Sequence, residues 1–228
     1  ITLSMAATPL LFAAAERWLM PKLERREERA FDTIDDSTPP VIICGFGRVG
    51  QIVGRILRLR GIPFTALEQD VAQVDFVRRF GNKVYYGDPT RPDLLRAAGA
   101  KDARVLIVAL ADIEQSLRVV DLAKSEFPHL TLIVRARNRR HAHLLMDRGV
   151  RRIVRETFHS SLVLSGQVLR ELGISEDETA RMLATFETHD ERTLARQQAV
   201  HHDETQLIQS SRQAAEELRS LFETDRRD

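Results

Sequence analysis

Residues 41–57 read VIICGFGRVGQIVGRIL, and this stretch decides the fold. Val41-Ile42-Ile43-Cys44 is an apolar run of strand length. Gly45-Phe46-Gly47-Arg48-Val49-Gly50 follows at once, and Val49, Ile52, Val53, Ile56 and Leu57 then recur at helical spacing. The order is strand, glycine turn, amphipathic helix. A lone G-x-G-x-x-G carries little information, but in this setting it has a mechanism. Gly45 permits the tight turn, Gly47 lets a pyrophosphate approach the backbone, and Gly50 lets helix and strand pack closely. Arg48 and Val49 complete the nucleotide-binding positions of the loop. The helix N-terminus behind it offers unpaired N–H groups and a positive dipole end to phosphates.

Working outward, Phe64–Leu67 is a second strand, and Glu68 at its end stands 21 residues after Gly47. A carboxylate there accepts ribose hydroxyls and disfavours a 2′-phosphate, so NAD(H) or AMP is expected over NADP. The plainer reading of Glu68 is a solvated strand-end glutamate. Further apolar runs at Lys83–Tyr86, Val105–Leu110, Thr131–Ala136 and Arg152–Val154 predict strands three to six. Between them lie helical patterns over Val71–Phe80, from Thr90 with Pro92 in its first turn, over Ile113–Phe127 and over Arg140–Arg148. Strands alternating with helices predict an α/β, doubly wound, six-stranded parallel sheet of Rossmann type, order 3-2-1-4-5-6, with a helical C-terminal extension.

The carboxyl edge of such a sheet collects ligands. Gly87-Asp88 ends strand three; Asp88 either faces the adenine side of a nucleotide or serves the turn. Arg135 and Arg137 end strand five on one face, as anion ligands or as structural ion pairs. Arg155-Glu156 follows strand six. His141 and His143, two apart on a helix, do not share a face, so no metal site is expected, and the adjacent pair His201-His202 carries no pattern.

With 34 basic and 33 acidic residues the net charge is +1, which leaves no bulk basic field for nucleic acid. Only Lys22, Lys83, Lys101 and Lys124 of the basic side chains are lysines. The arginine excess is either composition bias or a means of gripping anions with a planar fork. The single cysteine, Cys44, excludes an internal disulfide and reads as a buried structural thiol.

Residues 1–15, ITLSMAATPLLFAAA, carry no charge and are too few to span a bilayer. They read as the end of a truncated transmembrane helix, in preference to a core helix or an interfacial anchor. Arg17, Lys22, Arg25, Arg26 and Arg29 follow, as on a cytoplasmic side, with Trp18 near the interface. The chain therefore divides into 1–18, the helix end; 19–40, a charged linker; 41–157, the nucleotide-binding domain; and 158–228, a helical extension. In the last, Phe158, Leu162, Ser165, Leu169 and Leu172 form a narrow seam, suited to packing against another helix or onto the chain's own sheet. Residues 174–228 are charged and weakly patterned, expected to be partly disordered or ordered only in a larger protein.

The segments VIICGFGRVGQIVGRIL, ALEQD, KVYYGDPTRPDLLRAAGA, FPHL and the RAR…RETF pair resemble the regulator-of-potassium-conductance (KTN/RCK) domain of Kef-type glutathione-regulated potassium/proton efflux antiporters. The resemblance covers residues 2–173. It implies a homodimer with a crossed helical element, and a dinucleotide or AMP at Gly45, Gly47, Gly50, Glu68 and Asp88. It implies glutathione or its adducts near Arg91 and Arg155, gating the antiporter's own membrane domain at the cytoplasmic face of the bacterial inner membrane. A flavodoxin-like ancillary oxidoreductase is an implied partner. On this reading the chain is not an enzyme. The alternatives are the regulatory domain of another potassium channel or transporter, an NAD-dependent oxidoreductase, and a structural dimerisation module.

Overall fold

The computed structural model describes residue 32, residues 39–79 and residues 84–225. The expected helix end at 1–18 and nearly all of the linker at 19–40 lie outside the described residues. Among the described residues, no helix is long and apolar enough to cross a membrane.

Six strands form one parallel sheet in the order β3-β2-β1-β4-β5-β6, as the alternation of elements predicts. They are β1 (Val41–Cys44), β2 (Phe64–Glu68), β3 (Tyr85–Tyr86), β4 (Val105–Val108), β5 (Thr131–Ala136) and β6 (Arg152–Arg155). Between them run α1 (Arg48–Leu59), α2 (Val71–Arg78), α3 (Pro92–Ala97), α4 (Ile113–Glu126) and α5 (Arg139–Asp147). Every residue of β1 is buried, which explains its unbroken apolar run: a central parallel strand is covered on both faces. Ile42 and Cys44 enter one core with Leu106, Val108, Leu117 and Leu145, under α4 and α5. Val41 and Ile43 enter the other with Val74 and Val77, under α1 and α2. Burial and the nearby Glu68 carboxylate raise the Cys44 thiol's pKa well above the ordinary thiol range, so it stays protonated and unreactive.

Boundaries move where local hydrogen bonds override the apolar pattern. The fourth strand ends at Val108, two residues short of the expected Leu110, and β6 runs one residue further, to Arg155. The third strand is only Tyr85–Tyr86; Lys83 lies outside the described residues. α5 begins at Arg139 rather than Arg140 because the Asn138 side chain caps it, accepting from His141 N at 2.8 Å.

The larger difference concerns residues 174–228, expected to be partly disordered or ordered only in a larger protein. Of these, residues 174–225 are described, and they form two long helices after α6 (Phe158–Glu171): α7 (Glu176–Gln197) and α8 (Glu204–Asp225). Ser175 caps α7, whose first turn carries Glu176, Asp177 and Glu178, favourable to the helix dipole. Leu194 of α7 is buried in the sheet's own core. The seam's first residue also meets α7: the Phe158 and Phe186 rings stack with centroids 6.4 Å apart, and Gly166 of α6, outside the seam, lies under Leu183 and Thr179. Val163, Leu164 and Val168 of α6, and Leu172 just after it, are exposed.

Candidate functional site

A cleft of about 360 Å³ opens at the carboxyl edge of the sheet, where the strand order reverses between β1 and β4. Its floor is the glycine loop. Gly45 has φ +92°, and a Cβ there would stand 3.0 Å from the backbone of Ala109 and Leu110 on β4's end. A Cβ on Gly50 would lie 2.3 Å from the Gly45 carbonyl oxygen, so this glycine lets α1 sit on the turn. Gly47 differs from both. A Cβ on it would meet nothing within 4 Å, and its φ of −75° suits any residue. Open space, not backbone geometry, adjoins it on the cleft side. No side chain caps α1 and no acid occupies its first turn, so the positive end of the helix is left for a ligand.

Glu68 is buried, and its carboxylate braces the loop. Oε2 accepts from Phe46 N at 2.8 Å, while Oε1 accepts from Gln69 N at 2.9 Å and Asp70 N at 3.1 Å. It is not the solvated strand-end residue of the plainer reading. A carboxylate has about four acceptor directions, so one is left on Oε2 for a hydroxyl in the cleft. The Phe46 carbonyl accepts from the side-chain amides of Gln51 and Gln73, which fixes the loop from the other side.

Acids and bases divide the cleft. Glu68, Asp70 and Asp112 line one part, Arg48 and Arg135 the other. Asp70 and Asp112 cap α2 and α4 through Ala72 N and Gln115 N. Arg135 is nearly buried; it donates to the Ala109 carbonyl at 2.9 Å and pairs with Glu156 at 2.5 Å, and its Nε is buried with no acceptor. Arg48 approaches the same carboxylate at 3.5 Å with its own side chain in solvent. The Arg135 hydrogen bond, followed by the charges of Arg135, Arg48 and Arg137, holds the Glu156 pKa below the usual carboxylate range. Of the two readings left open for Arg135, the structure shows the ion pair, and the side chain also lines the cleft. Arg137 reaches the Ala111 carbonyl at 3.5 Å.

The structure gathers Gly45, Gly47, Arg48 and Glu68 at this cleft, with Gly50 packed beneath it and Val49 between. It does not bring Asp88 there. The Asp88 carboxylate accepts from Thr90 N and the Thr90 hydroxyl, which is the turn reading. Arg91 and Arg155 are not brought together either. Arg91 follows β3 and forks onto Asp93, whereas Arg155 ends β6 at the opposite sheet edge. Five strand spacings separate those edges, roughly 20–25 Å. Arg155 is instead enclosed: it pairs with Asp190 of α7 at 2.5 Å and lies 3.6 Å over the Phe158 ring. Arg139 of α5 holds the other oxygen of Asp190 at 2.5 Å. Sequence reasoning passed over Asp190, Arg139 and Gln73, and named Glu156 without giving it a role. Of these, only Glu156 carried a signal, through its place beside Arg155 at the end of β6.

Comparison with known proteins identifies two matching families in sequence. The TrkA-N domain matches residues 41–156, and the potassium efflux system KefB C-terminal domain matches residues 160–228. Among solved structures, the Shewanella denitrificans Kef carboxyl-terminal domain in an AMP-bound form is 41% identical. That match covers 70% of this chain and 98% of that one, with a TM-score of 0.65. The TrkA-N domain of the inner membrane protein ybaL from Escherichia coli shares the fold at 22% identity and a TM-score of 0.51, covering 60% of this chain and 98% of that one. The GsuK channel bound to NAD shares it at 23% and 0.53, covering 68% of this chain and 28% of that one.

Proposed function

The chain belongs to the TrkA-N domain family and continues into the KefB C-terminal domain, and from that premise we propose that it is the ligand-sensing regulatory domain of a Kef-type potassium/proton efflux antiporter. It takes an adenine nucleotide, AMP or NAD(H), in the cleft between β1 and β4. The observation that carries this reading is the open face at Gly47 under the uncapped start of α1, with Glu68 beside it. The AMP reported for the 41% identical Kef domain agrees with it. Phosphate would meet the first-turn N–H groups, with Arg48 and Arg135 at hand, and a ribose hydroxyl would use the acceptor direction left on Glu68 Oε2. The role is regulatory rather than catalytic: nucleotide shifts an equilibrium between arrangements of the domain. In this reading the domain acts at the cytoplasmic face of the inner membrane.

Glutathione or an adduct is the second ligand we propose, held as an anion by Arg155. Arg139 and Arg155 present two guanidiniums to the one carboxylate of Asp190, which leaves a local excess of positive charge. Arg91 lies too far away in the same chain to share that ligand, so it would contribute only from the second copy of a homodimer. A flavodoxin-like ancillary subunit is a further proposed partner.

Calorimetric titration of the chain with AMP, NADH, NADPH and glutathione tests both proposals, with Gly47→Val and Arg155→Ala beside the parent. AMP and NADH are expected to bind the parent and to lose at least about tenfold in affinity on Gly47→Val. Glutathione binding is expected to disappear on Arg155→Ala alone. Failure of every adenine nucleotide to bind would overturn the nucleotide reading. Glutathione binding unchanged by Arg155→Ala would overturn the second.

A further inference from the structure

The last residue of α5 and the turn between α7 and α8 meet at a cluster that sequence spacing does not predict. Asp147 Oδ2 lies 2.9 Å from His201 Nε2 and 3.4 Å from His202 Nε2. All three donor atoms fall within 4.8 Å of one another. The residues are 54 and 55 positions apart in sequence, so neither the adjacent histidines nor the aspartate announces the other.

The separations suit one ion. Zinc binds imidazole nitrogen and carboxylate oxygen at about 2.0–2.2 Å in a tetrahedron, which places its ligand atoms roughly 3.3–3.5 Å apart. The His202 distance already has this value. The His201 distance is that of a hydrogen bond and needs to open by only a few tenths of an ångström. The supporting shell is in place as well. The second carboxylate oxygen, Oδ1, accepts from the side-chain amide of Gln198, which orients Asp147 in the way that outer-shell partners orient metal ligands. The His201 imidazole is only 5% exposed; the His143 ring stacks on it at 4.9 Å and the tilted His202 ring lies 3.8 Å away. His202 is largely in solvent and adjoins a cavity of about 430 Å³, so an ion has an entry path and a water can complete the coordination. Arg139 borders the same cavity, but its guanidinium is turned to Asp190, 2.5 Å away.

We propose that Asp147, His201 and His202 form a binding site for a divalent transition metal of the zinc class. Two imidazoles and one carboxylate match that class, whereas magnesium and calcium ask for an all-oxygen shell. The bound ion fastens the α7–α8 turn to the end of α5. α7 also carries Asp190, eleven residues earlier, where it holds Arg139 and Arg155. Metal just beyond the C-terminal end of this helix therefore fixes the helix that, about two turns back, orders the arginines.

The test uses the untagged 228-residue chain, stripped with a chelator and titrated near neutral pH with zinc chloride, with cobalt chloride and, as a hard-cation arm, with magnesium chloride. His202→Ala removes a mostly exposed ring and leaves the fold intact, while Asp147→Asn keeps the shape of the carboxylate. One zinc per chain is expected, with a higher unfolding temperature and, for cobalt, the visible absorption of a tetrahedral site. His202→Ala and Asp147→Asn should each weaken zinc at least tenfold and abolish the cobalt spectrum, and magnesium should have no effect. Absence of stoichiometric zinc uptake by the parent overturns the proposal. So does uptake that both variants retain in full, or a magnesium effect equal to that of zinc.

Discussion

The nucleotide cleft and the C-terminal helical region are built by different means. The cleft is built around the backbone: Gly45 and Gly50 admit a turn and a helix at contact distance, and Glu68 ties the loop to the end of β2, accepting from Phe46 N in the loop and from Gln69 N and Asp70 N beside it. The region from α5 to α8 is a side-chain construction. There Asp190 bridges Arg139 and Arg155, Gln197 bonds Arg139 and Ser211, and Gln198 joins His143 to Asp147. Backbone devices leave a compact sequence signature because only glycine satisfies them. Side-chain bridges between distant positions leave none, because a charged residue at a buried pair reads like any solvated charge.

The contrast predicts unequal tolerance. Gly50→Ala should be the most damaging single change. Its Cβ would sit 2.3 Å from a backbone oxygen that cannot move without opening the turn. A loss of about 3 kcal/mol or more is expected, visible as a lowered denaturant midpoint. Near-parental stability would show that the loop is not built as described. Asp190→Ala tests the second region. It strands Arg155, whose side chain is 13% exposed, and releases the more open Arg139. An expected cost of about 2–3 kcal/mol follows from leaving a nearly buried charge unpaired, reduced by the exposure of its neighbour. Hydrogen exchange should localise that loss to α7 and α8 and leave the β1–α1 unit protected.

These two regions also mark how much was legible beforehand. The six strands and their order were readable because buried parallel strands need long apolar runs and crossovers constrain their sequence. Gly45, Gly47, Gly50 and Glu68 were readable through a spacing that has a mechanism. Asp88 was not, since a carboxylate after a strand serves a turn as readily as a ligand, and here it bonds Thr90. The helices of residues 174–225 were missed because α7 and α8 expose most of their length and anchor through few positions, among them Leu194, Thr193 and Ala214. Arg155 was singled out for an anion, but its carboxylate partner lies 35 residues away on a helix that the charge pattern did not predict.

Gly47→Val sharpens the comparison within the cleft itself. The added side chain enters open space in an extended conformation that valine favours, so stability should change by no more than about 0.5 kcal/mol. Adenine nucleotide affinity should nonetheless fall at least about tenfold. Two glycines of one motif would then separate by role: Gly50 serves the fold, Gly47 the ligand. A stability loss as large as that of Gly50→Ala would erase the distinction.

Glu156 sits where the two regions join, between Arg135 of the cleft wall and the start of α6. Its pKa is lowered in the folded state, chiefly by the Arg135 hydrogen bond. The stability it contributes is therefore present above the unfolded carboxylate pKa and is lost as pH falls through the lower folded one. Glu156→Gln should flatten that acid limb and cost no more than about 1 kcal/mol at neutral pH, since Arg48 is in solvent and Arg135 keeps its bond to the Ala109 carbonyl. The same change uncovers two guanidiniums beside the uncapped start of α1. AMP affinity should therefore rise two- to fivefold, about 0.5–1 kcal/mol, an effect that calorimetry can resolve and that shrinks with added salt. A fall in affinity instead would mean that Glu156 holds Arg135 in its productive position, which would make the cleft depend on a side-chain bridge as much as the helical region does.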